Sequence, residues 1–106
     1  MAIAQNVIST TESTLYTSNG TSAVTAMYFM NNHTETIVIQ IHVVTDGNTI
    51  ANSNKIIKDL SIAAGDTYVI DTERLVLDNG DSIRSISDTD DGDNAVVYAT
   101  ISYIGV

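Results

Sequence analysis

The sequence predicts an all-β fold, an antiparallel β-sandwich of jelly-roll-like type in one domain. Composition points there first: Pro and Trp are absent, Phe occurs once, and Thr, Ser, Asn, Val and Ile are abundant in a chain that is 43% apolar. Periodicity agrees, because "TIVIQIHVV" sets Ile37, Ile39, Ile41 and Val43 on one side and Thr36, Val38, Gln40 and His42 on the other. Alternation with β-branched residues marks a half-buried strand. Several more short segments of this kind follow at close spacing with no helical pattern between them, which favours a sandwich or barrel over an α/β unit. At 106 residues the chain has room for one domain with its own core.

Each element follows in order. Residues 1–12, "MAIAQNVISTTE", lack the alternation of later segments and read as an N-terminal arm, extended or docked on a neighbour through Ile3, Val7 and Ile8. The sandwich domain then spans 13–106 and starts with the strand "STLYTS". "SAVTAMYFMNN" is apolar on both sides, with Val24, Ala26, Tyr28 and Met30 on one and Ala23, Met27 and Phe29 on the other. A strand of that kind wants cover on both faces, from a loop, another subunit or the N-terminal stretch. The remaining strands are "KIIKDLSI", "DTYVI", "RLVL", "DSIRSIS" and "NAVVYATISYI". Between them "TDGNTIANSN", "AAGD", "DNGD" and "DTDDGDN" supply the Gly, Asn and Asp that tolerate positive φ and bond their own backbone, so these are turns.

Charge and cysteine content exclude several functions. Thirteen acidic against four basic side chains give a net charge of −9, which repels DNA, RNA and anionic membrane surfaces. Lys55, Lys58, Arg74 and Arg84 are too dispersed to form a basic patch, so neither nucleic acid nor membrane is an expected partner. Without cysteine there is no disulfide framework, thiolate metal site or Cys nucleophile. No segment approaches the ~20 apolar residues of a membrane span or resembles a secretory leader, so the expectation is a soluble protein made inside a cell.

The strongest candidate for chemistry is "SDTDDGDN", residues 87–94. Asp88, Asp90, Asp91 and Asp93 are metal-ligand candidates, since clustered carboxylates repel and a divalent cation relieves that repulsion. An EF-hand loop needs Gly at position 6 and Glu at position 12; counted from Asp88 those are Asp93 and Ala99. The stretch therefore reads first as a hairpin tip, with Gly92 and Asn94 suited to the turn. His33 and His42 are too few for a histidine metal cluster, and His42, beside Gln40, is expected to be exposed. Neither a GxSxG elbow nor a phosphate-binding glycine motif occurs; Glu12, Glu35 and Glu73 could each pair with an aspartate for glycoside cleavage, but in so acidic a β domain chance proximity accounts for such pairs. Tyr16, Tyr28, Tyr68, Tyr98 and Tyr103 could form a sugar-stacking platform, though they equally suit half-buried strand positions. No enzymatic activity and no cofactor are implied.

Several segments taken together carry a resemblance. "STLYTSNGTSAVTAMYFMNNHTETIVIQIHVV", "IAAGDTYVIDTERLVLDNGDSIRSIS" and "VVYATISYIGV" resemble small virion structural proteins of tailed bacteriophages, including those of marine and cyanobacterial phages. The recurring features are an "LYT" strand end (Leu15 to Thr17), an asparagine turn (Met30 to His33), a "GDTY" strand entry (Gly65 to Tyr68) and an "L.NGDSI" turn (Leu77 to Ile83). "TDGNTIANSNKIIKDL" departs from the pattern.

The resemblance implies a β-sandwich that decorates a capsid or belongs to the tail, assembled in the host cytoplasm, present in several copies and without catalysis. Its expected partners are the major capsid protein or other virion proteins, and further copies of itself as a homo-oligomer. Contacts are expected from Ile3, Val7, Ile8, Tyr28 and Phe29. The competing readings are a tail, neck or fibre module binding a host glycan through its tyrosines, and a calcium-dependent binding module using Asp88 to Asp93.

Overall fold

Short β-branched segments bounded by Gly and Asn turns become nine strands in the computed structural model, which describes residues 2–71, 75–88 and 97–105. They are β1 (Ala2–Ile8), β2 (Ser13–Thr17), β3 (Ser22–Asn31), β4 (Ile37–Val44), β5 (Lys55–Ile62), β6 (Thr67–Ile70), β7 (Leu75–Leu77), β8 (Ser82–Ser87) and β9 (Val97–Gly105), with one 3-10 turn at Asn52–Asn54. Among the described residues no helix is long and apolar enough to cross a membrane.

Pairing is antiparallel throughout and nested along the chain. β4 pairs with β5, β3 with both β6 and β7, β2 with β8, and β1 with β9. Two further pairings, β3 with β9 and β4 with β8, join these into a first sheet, β1-β9-β3-β6 with β7 also on β3, and a second, β2-β8-β4-β5. A long hairpin rolled in this way is a jelly roll, with β6 and β7 together forming one interrupted strand. The expected all-β sandwich is thus observed.

Alternation then selects the core. Met27 and Phe29 of β3, Val97, Ala99 and Ile101 of β9, and Ile8 of β1 face inward from the first sheet. They meet Leu15 of β2, Ile37, Ile39 and Ile41 of β4, Leu60 and Ile62 of β5, and Ile83 of β8 from the second. Tyr16 and Tyr103 stack with ring centroids 4.2 Å apart, and the Tyr16 hydroxyl donates to Ser22 Oγ at 2.8 Å, so its polar end stays satisfied as its ring is buried.

Three expectations are corrected. Residues 2–8 are not a free arm: they form the edge strand β1, paired with β9 from Ala2 opposite Tyr103 to Ile8 opposite Val97. In β3 the register shifts between Val24 and Ala26, leaving Thr25 as an extra residue. That bulge puts Val24 on the core side with Met27 and Phe29, and turns Ala26, Tyr28 and Met30 outward. Finally, Ile8 and Phe29 are contact candidates that turn out to be 0% exposed, because their place in the alternation makes them core residues.

Turn residues lock the strand ends. In the Asp78–Asp81 turn Gly80 has φ +89, and a Cβ there would lie 2.5 Å from Asp46 Cγ. The Asp81 carboxylate accepts the N–H groups of Asp46 and Asp78, while Asn79 Oδ1 accepts that of Gly20. Asn31, fully buried, donates through Nδ2 to the carbonyls of Glu35 and Ile62 and accepts the His33 N–H. The Gly65 N–H donates to the Asn31 carbonyl and the Asn31 N–H to the Asp66 carbonyl, so the asparagine turn, the "GD" entry and the "NGD" turn are clamps of this topology.

Neighbouring residues on β3 test the face assignment. Phe29→Ala should destabilise the dilute protein by about 3–5 kcal/mol, and Tyr28→Ala by less than about 1 kcal/mol, read from urea unfolding midpoints at constant slope.

Candidate functional site

The feature that stands apart is the outer face of the first sheet. Register places its side chains in rows across the strands. Val7, Tyr98, Met30 and Thr67 form one row; Gln5, Thr100, Tyr28 and Val69 the next; then Ile3, Ser102 and Ala26; then Ile104, Ala23 and Val76. Ile3 is 64% exposed, Val76 67% and Tyr28 41%, and Val7, Val69 and Tyr98 are similarly open. No strand of this sheet contains Asp, Glu, Lys, Arg or His, although the chain carries a net charge of −9.

The second sheet is built differently on its outside. Thr14, Arg84, His42 and Lys55 lie in one row, with Gln40 and Ile86 beside them. Arg84 pairs with Glu12 at 2.7 Å, both partly exposed, an interaction worth little in water. This face carries charge, whereas the outer rows of the first sheet are uncharged and largely apolar among the described residues.

Of the expected contact residues, Ile3, Val7 and Tyr28 come together on that face, and Ile8 and Phe29 lie beneath it in the core. Sequence reasoning missed Met30, Val69, Val76, Tyr98 and Ile104. The signal for two of them was present: in "VYATISYI" Tyr98, Thr100, Ser102 and Ile104 alternate with the core residues Val97, Ala99, Ile101 and Tyr103.

Other candidates disperse. Asp88 is exposed, and its Oδ1 accepts the Val38 N–H at 3.1 Å while its own N–H donates to the Val38 carbonyl. Asp90, Asp91 and Asp93 lie outside the described residues, as does Glu73, and among the described residues no group of three or more His or carboxylate side chains is placed to hold a metal. The tyrosines do not form one platform, since Tyr16 and Tyr103 are stacked on each other inside, whereas Tyr28 and Tyr98 are diagonal neighbours on the outer face.

His42 is not exposed as expected but 3% accessible, because the 50–54 segment folds over it. Asn54 Nδ2 donates to the Thr49 carbonyl, which turns its Oδ1 toward His42 Nδ1 at 2.7 Å and the Ala51 N–H at 3.0 Å. An amide oxygen only accepts, so His42 Nδ1 carries the proton. The residue is a buried strut. A groove of about 640 Å³ opens beside the same segment, and Lys55 is the ionisable side chain among the described residues in its wall. A lone lysine among hydroxyls and amides offers no acid–base pair.

Asn54→Ala removes the acceptor that holds both His42 and Ala51. The expected cost is about 1–3 kcal/mol, with amide exchange accelerated across residues 48–54 and unchanged at Leu15 and Ile101. Equal acceleration in the core strands would contradict the strut.

No family model, curated protein or solved structure matches this chain.

Proposed function

We propose that this chain is a structural protein of a tailed-bacteriophage virion, a capsid decoration or cement protein that adheres to the major capsid protein or its neighbours and to sibling subunits. The observation that carries this reading is the charge-free apolar outer face of the first sheet, held on a rigid jelly roll. A soluble chain gains nothing from leaving such rows in water, and exposed contiguous apolar patches of this kind go with protein contacts. Jelly rolls serve capsids, lectins and other proteins alike, so topology on its own selects no function. The sequence resemblance adds the virion to the reading.

Magnitudes favour a part used in many copies. The face spans roughly 500 Å² in projection, from four strands ~4.8 Å apart and about eight residues long at ~3.4 Å each. At ~25 cal/mol per Å² of apolar area, burying this face supplies about 12 kcal/mol if all of it counts as apolar, with the partner's matching surface adding to that, against the ~4–15 kcal/mol that association costs. One such contact gives modest affinity; a repeated lattice of contacts gains by effective concentration. The net charge of −9 keeps the subunits away from packaged nucleic acid.

Peptide quantification by mass spectrometry on purified particles of the virus encoding this chain tests the reading. Hundreds of copies per particle are expected for a decoration protein. A few or a few dozen would move it to the neck, baseplate or fibres, and absence from the particle would overturn the virion reading altogether.

A further inference from the structure

We propose that the outer face of the first sheet is where two copies of this chain pack on each other, sheet to sheet about a two-fold axis. The inference rests on reading that face as adhesive, and it commits to the occupant.

Charge makes the case. A basic partner would be met by acidic side chains at the point of contact, because electrostatic complementarity steers and orients such encounters. The acids here are kept off all five strands of the sheet, although the chain carries thirteen of them. That arrangement suits a partner that is itself strongly negative, for which any acid at the contact is repulsive. A second copy carries the same −9 by construction, and the face is then opposed by itself, neutral against neutral.

Dehydration of the face is also prepared from within. Part of its polar content bonds within the sheet: Thr25 Oγ1 donates to the Ser102 carbonyl at 3.1 Å and lies 3.0 Å from Ser102 Oγ, and Gln5 Nε2 reaches Thr100 Oγ1 at 3.4 Å. Closing a second sheet over Thr25 and Ser102 leaves their hydroxyl bonds intact.

Area suffices. Two faces of roughly 500 Å² in projection remove about 1,000 Å² or more, the lower bound for a specific protein interface. Two sheets meeting face to face sit ~10 Å apart with side chains interdigitated, the same geometry that already closes the core of each copy. Tyr28 and Tyr98 supply amphipathic rings near the middle, with Ile3, Val7, Val69 and Val76 around them.

Sedimentation equilibrium of the full chain from about 1 to about 100 μM brackets the affinity such a face can give. The native chain should double its mass within that range. Tyr28→Glu and Val69→Lys should each weaken dimerisation at least ~100-fold, since symmetry places every introduced charge in the contact twice. Ser61→Glu, on the outer side of the second sheet, should leave it unchanged. Mixing Tyr28→Lys with Tyr28→Glu chains, charged near the middle of the face where the two-fold axis brings like residues together, should restore association, a rescue that damage to the fold would not produce. If Tyr28→Glu fails to fold, Val69→Lys on the edge strand decides.

A native chain that stays monomeric throughout, or a dimer that survives both charges, overturns the inference. Particle binding by a monomeric chain would do so while leaving the virion reading intact; a face-dependent dimer absent from particles would do the reverse.

Discussion

The antiparallel pairing of β3 with β9, running from Ser22 opposite Gly105 to Asn31 opposite Val97, is the constraint on which the rest of the molecule depends. It occupies the middle of the first sheet, so β1 is added at one side and β6 and β7 at the other. Alternation along the two strands sends Met27, Phe29, Ala99 and Ile101 into the core. The same alternation must send Tyr28, Met30, Tyr98 and Ile104 outward. A single sandwich can cover only one of those sets. The exposed apolar face is therefore not a lapse in an otherwise polar surface but the second side of a strand pair suited to cover on both.

Distribution of charge follows the same division. Lys55, Lys58 and Asp59 lie on β5, at an edge of the second sheet, where charged side chains discourage strand addition. Edge strand β1 of the first sheet carries no charge, and Gln5 and Asn6 are its polar residues. Two acids of the described turns hold neighbouring backbone: Asp81 accepts two N–H groups and Asp88 one. They maintain solubility and turn geometry, and they leave the first sheet able to approach a negatively charged neighbour. In the proposed role as a virion adhesive, this separates the soluble life of the chain from its assembled one.

Much of the fold was legible in the sequence because it rests on local rules. The alternation in "TIVIQIHVV" correctly buries Ile37, Ile39 and Ile41, and the Gly-containing turns fall where strands end. The apolar character of "SAVTAMYFMNN" on both sides is also seen, with Met27 and Phe29 in the core and Tyr28 and Met30 facing out. What local rules could not supply was set by tertiary contact. β1 shows only one buried residue in seven, so its sequence lacks alternation although β9 pairs with it along its length. The bulge at Thr25 shifts the facing of Val24, and a loop closing over His42 buries a residue that its polar strand position leaves exposed. Ile8 and Val7 illustrate the limit: adjacent apolar residues, one in the core and one in water, distinguished only by register.

The most direct test of a face reserved for contact is residue by residue. Two-dimensional NMR spectra of the chain, compared at low and high concentration, should show shifts or broadening confined to Ile3, Val7, Tyr28, Val69, Val76 and Tyr98 and their row neighbours, with Lys55, Ser61 and Arg84 unmoved. Changes centred on the second sheet, or spread evenly over both, would contradict the claim that this molecule adheres through its uncharged sheet.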